Sequence, residues 1–280
     1  MNKPGVTSKL QKTIINYLQN HNMELTSNII WNANSTADSQ GAASVTTENK
    51  HIGNQSLKIS KTNNTGRHYY SQNVTNLTSG IPYTLSCYVK TSSISNVNNK
   101  GANLFVTYNL SGMQQIVKSA YINGTEDWQR IDVQFTLPQG YDAASLNINL
   151  GVEDETGTVY FDCAQLEPGY AVNRYNLIDN GGATSSISNY WTITVPSYIT
   201  SGPSFLPTKA IHFMDNMNKV NNAYQVINIS GNAGDVFVAS SWSKANSSVQ
   251  TGYYKVILTF NNQDGTAKEI NIPFNCQTNN

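Results

Sequence analysis

The sequence carries little charge. Charged residues make up 12% of its 280 residues, and 17 Lys and Arg balance 17 Asp and Glu. This share is about half of that in an average globular protein. A surface that binds nucleic acid needs a dense stripe of basic residues to neutralise phosphates. The composition therefore argues against nucleic acid as a partner.

Cysteine is also scarce. Cys87, Cys163 and Cys276 lie far apart and show no Cys-x-x-Cys spacing. An odd number without that spacing indicates neither a disulfide framework nor a zinc site. We therefore expect free thiols, buried at the two positions that fall in apolar runs, Cys87 and Cys163.

Long apolar runs are missing as well. No segment approaches the ~18 apolar residues of a membrane-spanning helix, and the first residues, MNKPG, lack the apolar core of a signal peptide. The sequence therefore predicts no membrane insertion.

Catalytic motifs are equally absent. The sequence contains no GxSxG, P-loop or dinucleotide fingerprint, and its four histidines show no HxxxH spacing. The acidic run Glu153-Asp154-Glu155 cannot by itself form the facing carboxylate pair of a glycosidase, and we interpret it as a solvated turn. We predict that the chain is not an enzyme.

The polarity comes instead from Asn, Ser, Thr and 16 Tyr. Amides, hydroxyls and aromatic rings suit neutral, hydroxyl-rich ligands, which they bind by hydrogen bonds and by stacking. Compositional bias and long surface loops are the competing explanation for the abundance of Asn.

Short runs of β-branched and aromatic residues, separated by Asn, Gly, Ser and Pro, recur along the chain. Residues alternate clearly in 129–135 and 146–150, where apolar side chains share one face and Asn147 and Asn149 point to the other. Strands are predicted at 56–60, 69–74, 83–91, 103–110, 129–136, 145–152 and 158–166, then at 191–195, 210–214, 223–229, 235–245, 252–261 and 267–274. Turn signals every ~8–12 residues predict an all-β fold of antiparallel sandwiches.

The second half of the sequence begins as a copy of the first. NYLQN at 16–20 with Trp31 is echoed by NLIDN at 176–180 with Trp191, and LFVTYN at 104–109 matches VILTFN at 256–261. The offset of ~150–160 residues is the size of one domain. We predict an N-terminal extension (1–15), a first β-sandwich module (16–169), a linker (170–174) and a second module (175–280).

The segment 128–166 of the first module has no counterpart in the second. A sandwich without its last strands exposes unpaired backbone groups and an apolar face. We expect either a fragment of a longer protein or an edge covered by residues 9–15 or by a second copy of the chain, which would be self-association. A naturally reduced sandwich with its own closure is the other alternative.

Several segments carry a family resemblance. They are GNQSLKI at 53–59, GIPYTLSCYVK at 80–90, DWQR at 127–130 and GTVYFDCAQLE at 157–167. They resemble the jelly-roll carbohydrate-binding modules of the galactose-binding-like superfamily, including families four, nine and twenty-two. The tandem form, joined by NRYNLIDN at 173–180, is similar to modules of large bacterial cell-wall-associated proteins with RHS or YD repeats.

The resemblance implies a non-catalytic pair of modules that binds neutral polysaccharide or cell-surface glycan weakly. It also implies a bacterial extracellular or cell-surface location within a longer polypeptide. The alternative is a structural, spacer or adhesion role without a sugar ligand. The candidate rings for stacking on a sugar are Trp31, Tyr69, Tyr70, Tyr108 and Tyr121. The alternative for each of them is a place in the core, where a Tyr or Trp of a sandwich is usually found.

The resemblance further implies a structural calcium in the first module only. The positions that match the family's ligands are Glu24 and Asp162, with backbone carbonyls near Asn22 and Gln55. Calcium takes hard oxygen ligands from separated loops, and a cation relieves the repulsion between two converging carboxylates. The alternative is a solvated Glu24 and an Asp162 that only accepts hydrogen bonds at a strand end.

Overall fold

The computed structural model describes residues 15–25, 30–75, 77–183, 187–193, 197–200, 210–213, 220–229, 231, 235–241 and 255–273. The chain divides into two compact units, one of residues 1–199 and 211–230, the other of residues 200–210 and 231–280. The predicted linker 170–174 lies inside the first unit. The described part of the chain contains no helix long and apolar enough to span a membrane.

Two five-stranded sheets form the body of the first unit, with the strand orders β1-β4-β9-β6-β7 and β2-β3-β10-β5-β8. Their strands are β1 (Asn32–Ser35), β2 (Gly41–Thr46), β3 (Ser56–Lys61), β4 (Arg67–Asn73), β5 (Pro82–Ile94), β6 (Gly101–Leu110), β7 (Met113–Lys118), β8 (Gly124–Thr136), β9 (Tyr141–Glu153) and β10 (Gly157–Pro168). Neighbouring strands are antiparallel throughout. The predicted all-β jelly-roll sandwich is therefore confirmed.

Alternating side chains explain how the two sheets pack. Leu146, Ile148 and Leu150 of β9 are fully buried in the core, whereas the asparagines between them belong to the other face of the strand. The strand β8 buries Val133 and Phe135 in the same way. Apolar residues every second position thus join the sheets face to face.

All seven strands predicted in the first module are present. Three further strands, β1, β2 and β7, were missed because their side chains are mostly exposed and include Asn, Ala, Ser, Gly and Gln. Each is the outermost strand of its sheet. An edge strand with little burial shows no clear apolar alternation and few residues of high β-propensity.

The later part of the chain forms shorter elements. They are a 3₁₀ helix (Ile187–Asn189), β11 (Thr192–Ile193), β12 (Ser197–Thr200), β13 (Ala210–Phe213), β14 (Ala223–Tyr224), β15 (Lys255–Asn261) and β16 (Ala267–Pro273). The predicted strand 235–245 is not a strand over its described residues 235–241, and the remainder lies outside the described residues. Residues 9–14 lie outside them as well.

The duplicated sequence segments make the same local hydrogen bonds. Gln72 donates to the Gln19 carbonyl and accepts from its N–H at 2.9 and 2.8 Å, and Gln225 does both with the main chain of Asp179. The indole N–H groups of Trp31 and Trp191 donate to the carbonyls of Asn20 and Asn180 at 3.1 and 3.4 Å. The sequence similarity therefore extends to local conformation.

Cys87 and Cys163 are buried free thiols, as predicted. Burial raises the pKa of both thiols well above the ordinary range. Cys276 lies outside the described residues.

Candidate functional site

A cleft of about 280 Å³ lies on the face of the first sheet that points away from the core. Its lining comes from all five strands of this sheet: Asn34, Arg67, Tyr69, Ser71, Phe105, Thr107, Gln114, Asn147 and Asn149. On β4, β6 and β9 these residues occupy alternate positions, which places their side chains on one face. We call this feature the cleft.

Two aromatic rings line the cleft. Tyr69 and Phe105 meet edge to face, with ring centroids 5.3 Å apart. Tyr69 pairs with Gly151 on the neighbouring strand, and a Cβ at Gly151 would stand 2.7 Å from the Cβ of Tyr69. The glycine therefore gives Tyr69 room on the sheet surface.

Amide and hydroxyl groups supply hydrogen-bonding capacity beside the rings. The buried amide of Asn149 contacts the carbonyls of Phe105 and Asn147, both at 3.1 Å, and the Thr107 hydroxyl at 3.3 Å. It therefore joins β6 and β9 on the surface of the cleft. Within the described residues, neither the Tyr69 hydroxyl nor the Gln114 amide has a protein partner. Both groups are available to a ligand.

One end of the cleft carries a charged cluster. Lys118 Nζ donates to both oxygens of the Glu153 carboxylate at 2.7 and 2.8 Å, and the Tyr121 hydroxyl donates at 2.9 Å. Arg67 Nε lies 3.5 Å from the same carboxylate. Burial raises the pKa of Glu153, but the hydrogen bonds from Lys118 and Tyr121 and the charges of Arg67 and Lys118 outweigh it, so the pKa lies below its usual value.

Only one of the five predicted rings, Tyr69, lines the cleft. Trp31, Tyr70 and Tyr108 are buried in the core, where no ring face is open to a ligand. The positions of Tyr70 and Tyr108 follow from strand alternation, because they neighbour the outward-facing Tyr69 and Thr107. Tyr121 lies near the end of the cleft, where its hydroxyl is bound to Glu153.

Sequence reasoning missed several lining residues, chiefly Phe105, Arg67 and Gln114. The alternation in β9 had already placed the amides of Asn147 and Asn149 on the outward face, and the structure confirms that orientation. The same alternation, applied to β6, would have selected Phe105 and Thr107 rather than Tyr108. It could not have identified the pairing of strands that brings these residues together.

The predicted calcium ligands Glu24 and Asp162 hold the same loop. Glu24 accepts hydrogen bonds from the N–H groups of Asn54 and Gln55 at 2.8 and 3.1 Å, and Asp162 accepts from those of His51 and Ile52 at 2.8 and 3.1 Å. The loop 51–55 thus ties the N-terminal segment to β10.

Asp162 is fully buried. Burial raises the pKa of this carboxyl to about 6, although its N–H donors oppose the shift. Asp162 is thus a desolvated carboxylate that shares the loop 51–55 with the carboxylate of Glu24. A hard cation would fit this chemistry, because its charge would compensate for the lost hydration. Among the described residues, no group of three or more His, Cys, Asp and Glu side chains is placed so that it could hold a metal ion, so any further ligands would be carbonyl or amide oxygens.

The other two predicted ligand positions, Asn22 and Gln55, make contacts with two different carboxylates. The Asn22 amide donates to Asp179 at 2.8 Å, and the Gln55 N–H is bound to Glu24. Asn22 and Glu24 also border a second, smaller cleft of about 140 Å³, together with Asp179, Tyr190 and Gln225.

Comparison with solved structures gives fold-level similarities of low identity. The chain is similar to the active domain of tailspike protein 4 of bacteriophage CBA120 at 14% identity and a TM-score of 0.43, over 55% of this chain and 22% of that one. It is similar to the family 61 module TmCBM61, solved with β-1,4-galactotriose, at 17% identity and a TM-score of 0.38, over 55% and 99%. It is also similar to the C-terminal family 22 module of Clostridium thermocellum Xyn10B at 18% identity and a TM-score of 0.41, over 56% and 97%.

No curated protein matches the chain. A family model described as a carbohydrate binding domain matches residues 16–157, which is just over half of the chain and contains every residue that lines the cleft. The chain therefore belongs to this family of carbohydrate binding domains.

Proposed function

We propose that the first module binds the chain of a glycan in the cleft. The observation that carries the proposal is the composition of this single surface, in which two aromatic rings lie among amide and hydroxyl groups. Of these groups, the Tyr69 hydroxyl and the Gln114 amide have no partner among the described residues. An aromatic ring packs against the apolar C–H face of a sugar, while amides and hydroxyls bond its hydroxyl groups. Membership of the carbohydrate binding domain family supports the same function.

We expect the main ligand chain to be neutral and the binding to be weak. Tyr69 presents the ring that is only half-buried, whereas Phe105 is almost fully buried. One accessible ring provides a limited apolar contact area with a sugar chain.

The proposed role is non-catalytic. Glu153 is a carboxylate in contact with the lining residue Arg67, and its oxygens are bound to Lys118 and Tyr121. Glycoside hydrolysis uses two carboxylates, of which one must be able to donate a proton. The low pKa of Glu153 is opposite to what a general acid requires.

Affinity gel electrophoresis against neutral galactan, xylan and mixed-linkage glucan tests the proposal. We expect retardation on at least one of them, and we expect Tyr69→Ala to abolish it. Tyr170→Ala is the matched control, because Tyr170 is 67% exposed and is not part of the cleft. Circular dichroism confirms that the variants are folded. Unretarded migration of folded wild-type protein on every polysaccharide would refute the proposal.

The duplicated segments bear on the kind of protein that contains the module. We infer a tandem arrangement of modules within a larger bacterial surface or secreted protein, and the matching hydrogen bonds around Asn20 and Asn180 support the duplication. The proposal also includes self-association through the second module. The alternative to glycan binding is a purely structural role of the pair of modules. Retention on a polysaccharide that depends on Tyr69 would decide against the purely structural role.

Calcium is a further part of the proposal. Glu24 and Asp162 would hold the ion, which would supply positive charge next to the buried Asp162 carboxylate. Its role would be structural, because both carboxylates already fix the loop 51–55.

A further inference from the structure

The guanidinium of Arg67 is only partly engaged by the protein. Its side chain is 27% exposed, and Nε lies 3.5 Å from Glu153 Oε1, a long contact for a hydrogen bond. The guanidinium carbon stands 5.6 Å from the centroid of the Phe105 ring, and the residue lines the cleft. Within the described residues, no hydrogen-bond acceptor contacts its two terminal nitrogens.

Two cationic side chains share one carboxylate at this end of the cleft. Lys118 and Arg67 share one carboxylate, that of Glu153. Lys100 adds a further positive charge and donates to the Tyr121 hydroxyl at 3.3 Å, while Asp154 is near enough to offset Lys100. Lys61, the next cation, is bound to the carbonyls of Asn63 and Thr65 and lies near the carboxylates of Asp154, Asp38 and Glu155. Arg67 is therefore the cation at this end of the cleft whose carboxylate, Glu153, is held more closely by another side chain, that of Lys118.

The position of Arg67 is held by its neighbours. Its backbone N–H donates to Thr36 Oγ1 at 2.9 Å, and β4 pairs Arg67 with Glu153 on β9. The Phe105 ring supports the flat side of the guanidinium, and Glu153 faces its Nε. The outer edge, with the two terminal nitrogens, is the part that remains for a ligand.

We propose that Arg67 binds the carboxylate of a uronic acid residue carried by the glycan in the cleft. The inference rests on the proposed function and specifies its ligand: a neutral chain along the amides and rings, with an acidic sugar at the Arg67 end. A guanidinium offers two parallel N–H groups that match the two oxygens of a carboxylate. The aromatic ring beneath it leaves this pair of donors in place and excludes water from one side.

The test uses pairs of polysaccharides that differ only in charge. Native glucuronoxylan is compared with the same material after its carboxyl groups are reduced to alcohols, and polygalacturonan is compared with its carboxyl-reduced form. We expect the native member of a bound pair to bind about tenfold more tightly, the order of magnitude of a charge-assisted bidentate contact. We expect the difference to shrink as salt is added, because the contact is partly exposed.

Variants connect the preference to this residue. Arg67→Gln should bind both members of a pair equally, and Arg67→Lys, which keeps the charge but loses the planar pair of donors, should retain part of the preference. Lys100→Gln is the control, since it removes a nearby charge that does not line the cleft, and it should keep the preference. Thermal unfolding confirms that each variant is folded.

The outcomes separate this inference from the proposed function. Equal affinity of wild-type protein for both members of every bound pair overturns the carboxylate contact and leaves glycan binding in the cleft intact. A preference that survives in Arg67→Gln also overturns the contact. Absence of binding to any of these polysaccharides and to the neutral ones overturns the proposed function and this inference together.

Discussion

The carboxylate of Glu24 occupies the space that a side chain at residue 53 would need. A Cβ placed on Gly53 would stand 2.5 Å from Glu24 Oε1, and the backbone of Gly53 has a φ of 81°, in the left-handed region. Glycine adopts this conformation without strain. The loop 51–55 can therefore wrap closely around the carboxylate only because residue 53 lacks a side chain.

Substitution at this position should be costly. Gly53→Ala would introduce backbone strain and displace a carboxylate that accepts three N–H groups from Asn54 and Gln55. We expect a loss of about 2–4 kcal/mol in the free energy of unfolding, from strain together with weakened charge-assisted hydrogen bonds. Urea denaturation measures it.

Gly80→Ala is the matched control for Gly53→Ala. Gly80 has a φ of 76°, but no atom lies within 4 Å of the point that a Cβ would occupy there. Gly80→Ala should therefore lower the free energy of unfolding by the cost of backbone strain alone, about 1 kcal/mol. Equal losses for the two variants would show that the contact with Glu24 contributes nothing.

Two buried asparagines on the outward face of the first sheet should respond in opposite ways to the same substitution. The Asn149 amide nitrogen lies within hydrogen-bond distance of three acceptors, whereas neither side-chain polar atom of Asn103 has a partner in the described structure. Asn149→Leu should lower the free energy of unfolding by about 1–3 kcal/mol, while Asn103→Leu should be neutral or stabilising, because it removes buried polar atoms without a protein partner.

Chemical denaturation of both leucine variants checks this prediction. Leucine resembles asparagine in shape, so the comparison separates hydrogen bonding from packing. A loss for Asn103→Leu as large as that for Asn149→Leu would mean that the Asn103 amide is satisfied in solution.

Glu153 should make stability depend on pH in the acid range. Its folded-state pKa is below the usual value, because the contributions of Lys118, Tyr121 and Arg67 exceed the opposing effect of burial. The unfolded protein therefore takes up a proton at this group before the folded protein does. The stabilisation is complete above the unfolded-state pKa and is lost as the pH falls through the folded-state pKa.

Glu153→Gln should flatten the dependence of unfolding free energy on pH below about 4.5, the ordinary pKa of glutamate. Glu126→Gln provides the control, because Glu126 is an exposed residue of β8. Denaturant midpoints measured at a series of pH values give the comparison. Parallel profiles for wild type and Glu153→Gln would contradict the assigned role of the carboxylate.

Strands with a clear alternation of apolar and polar residues could be predicted from the sequence, and strands without it could not. The central strands were predictable because apolar residues such as Leu146, Ile148 and Leu150 alternate with polar ones. The edge strands β1 and β7 were not, since neither face of an exposed edge strand must be apolar. The residues of the cleft come from five strands, and their grouping depends on strand order and register, which short-range patterns do not determine.

The candidate rings show the same limitation at the level of single residues. Tyr69 and Tyr70 are adjacent and chemically identical, yet one lines the cleft and the other is buried in the core. Only the phase of the alternation distinguishes them, and a shift by one residue exchanges the two faces. The charged cluster could not be predicted, because Arg67, Lys118 and Glu153 lie on separate strands.

Calcium should stabilise the first module through Glu24 and Asp162. If the folded protein binds the ion and the unfolded chain does not, calcium raises the melting temperature, by an amount that grows with its concentration and corresponds to about 2.7 kcal/mol at one hundred times the dissociation constant. Excess chelator should remove this stabilisation. Glu24→Gln should abolish the response, since it replaces a charged ligand by a neutral one.

Glu48→Gln is the control for the calcium response. It alters an exposed carboxylate paired with Lys58, and it should respond to calcium as the wild-type protein does. Identical melting curves of the wild-type protein in calcium and in chelator would leave the carboxylates with the role that their hydrogen bonds define, that of anchors for the loop 51–55.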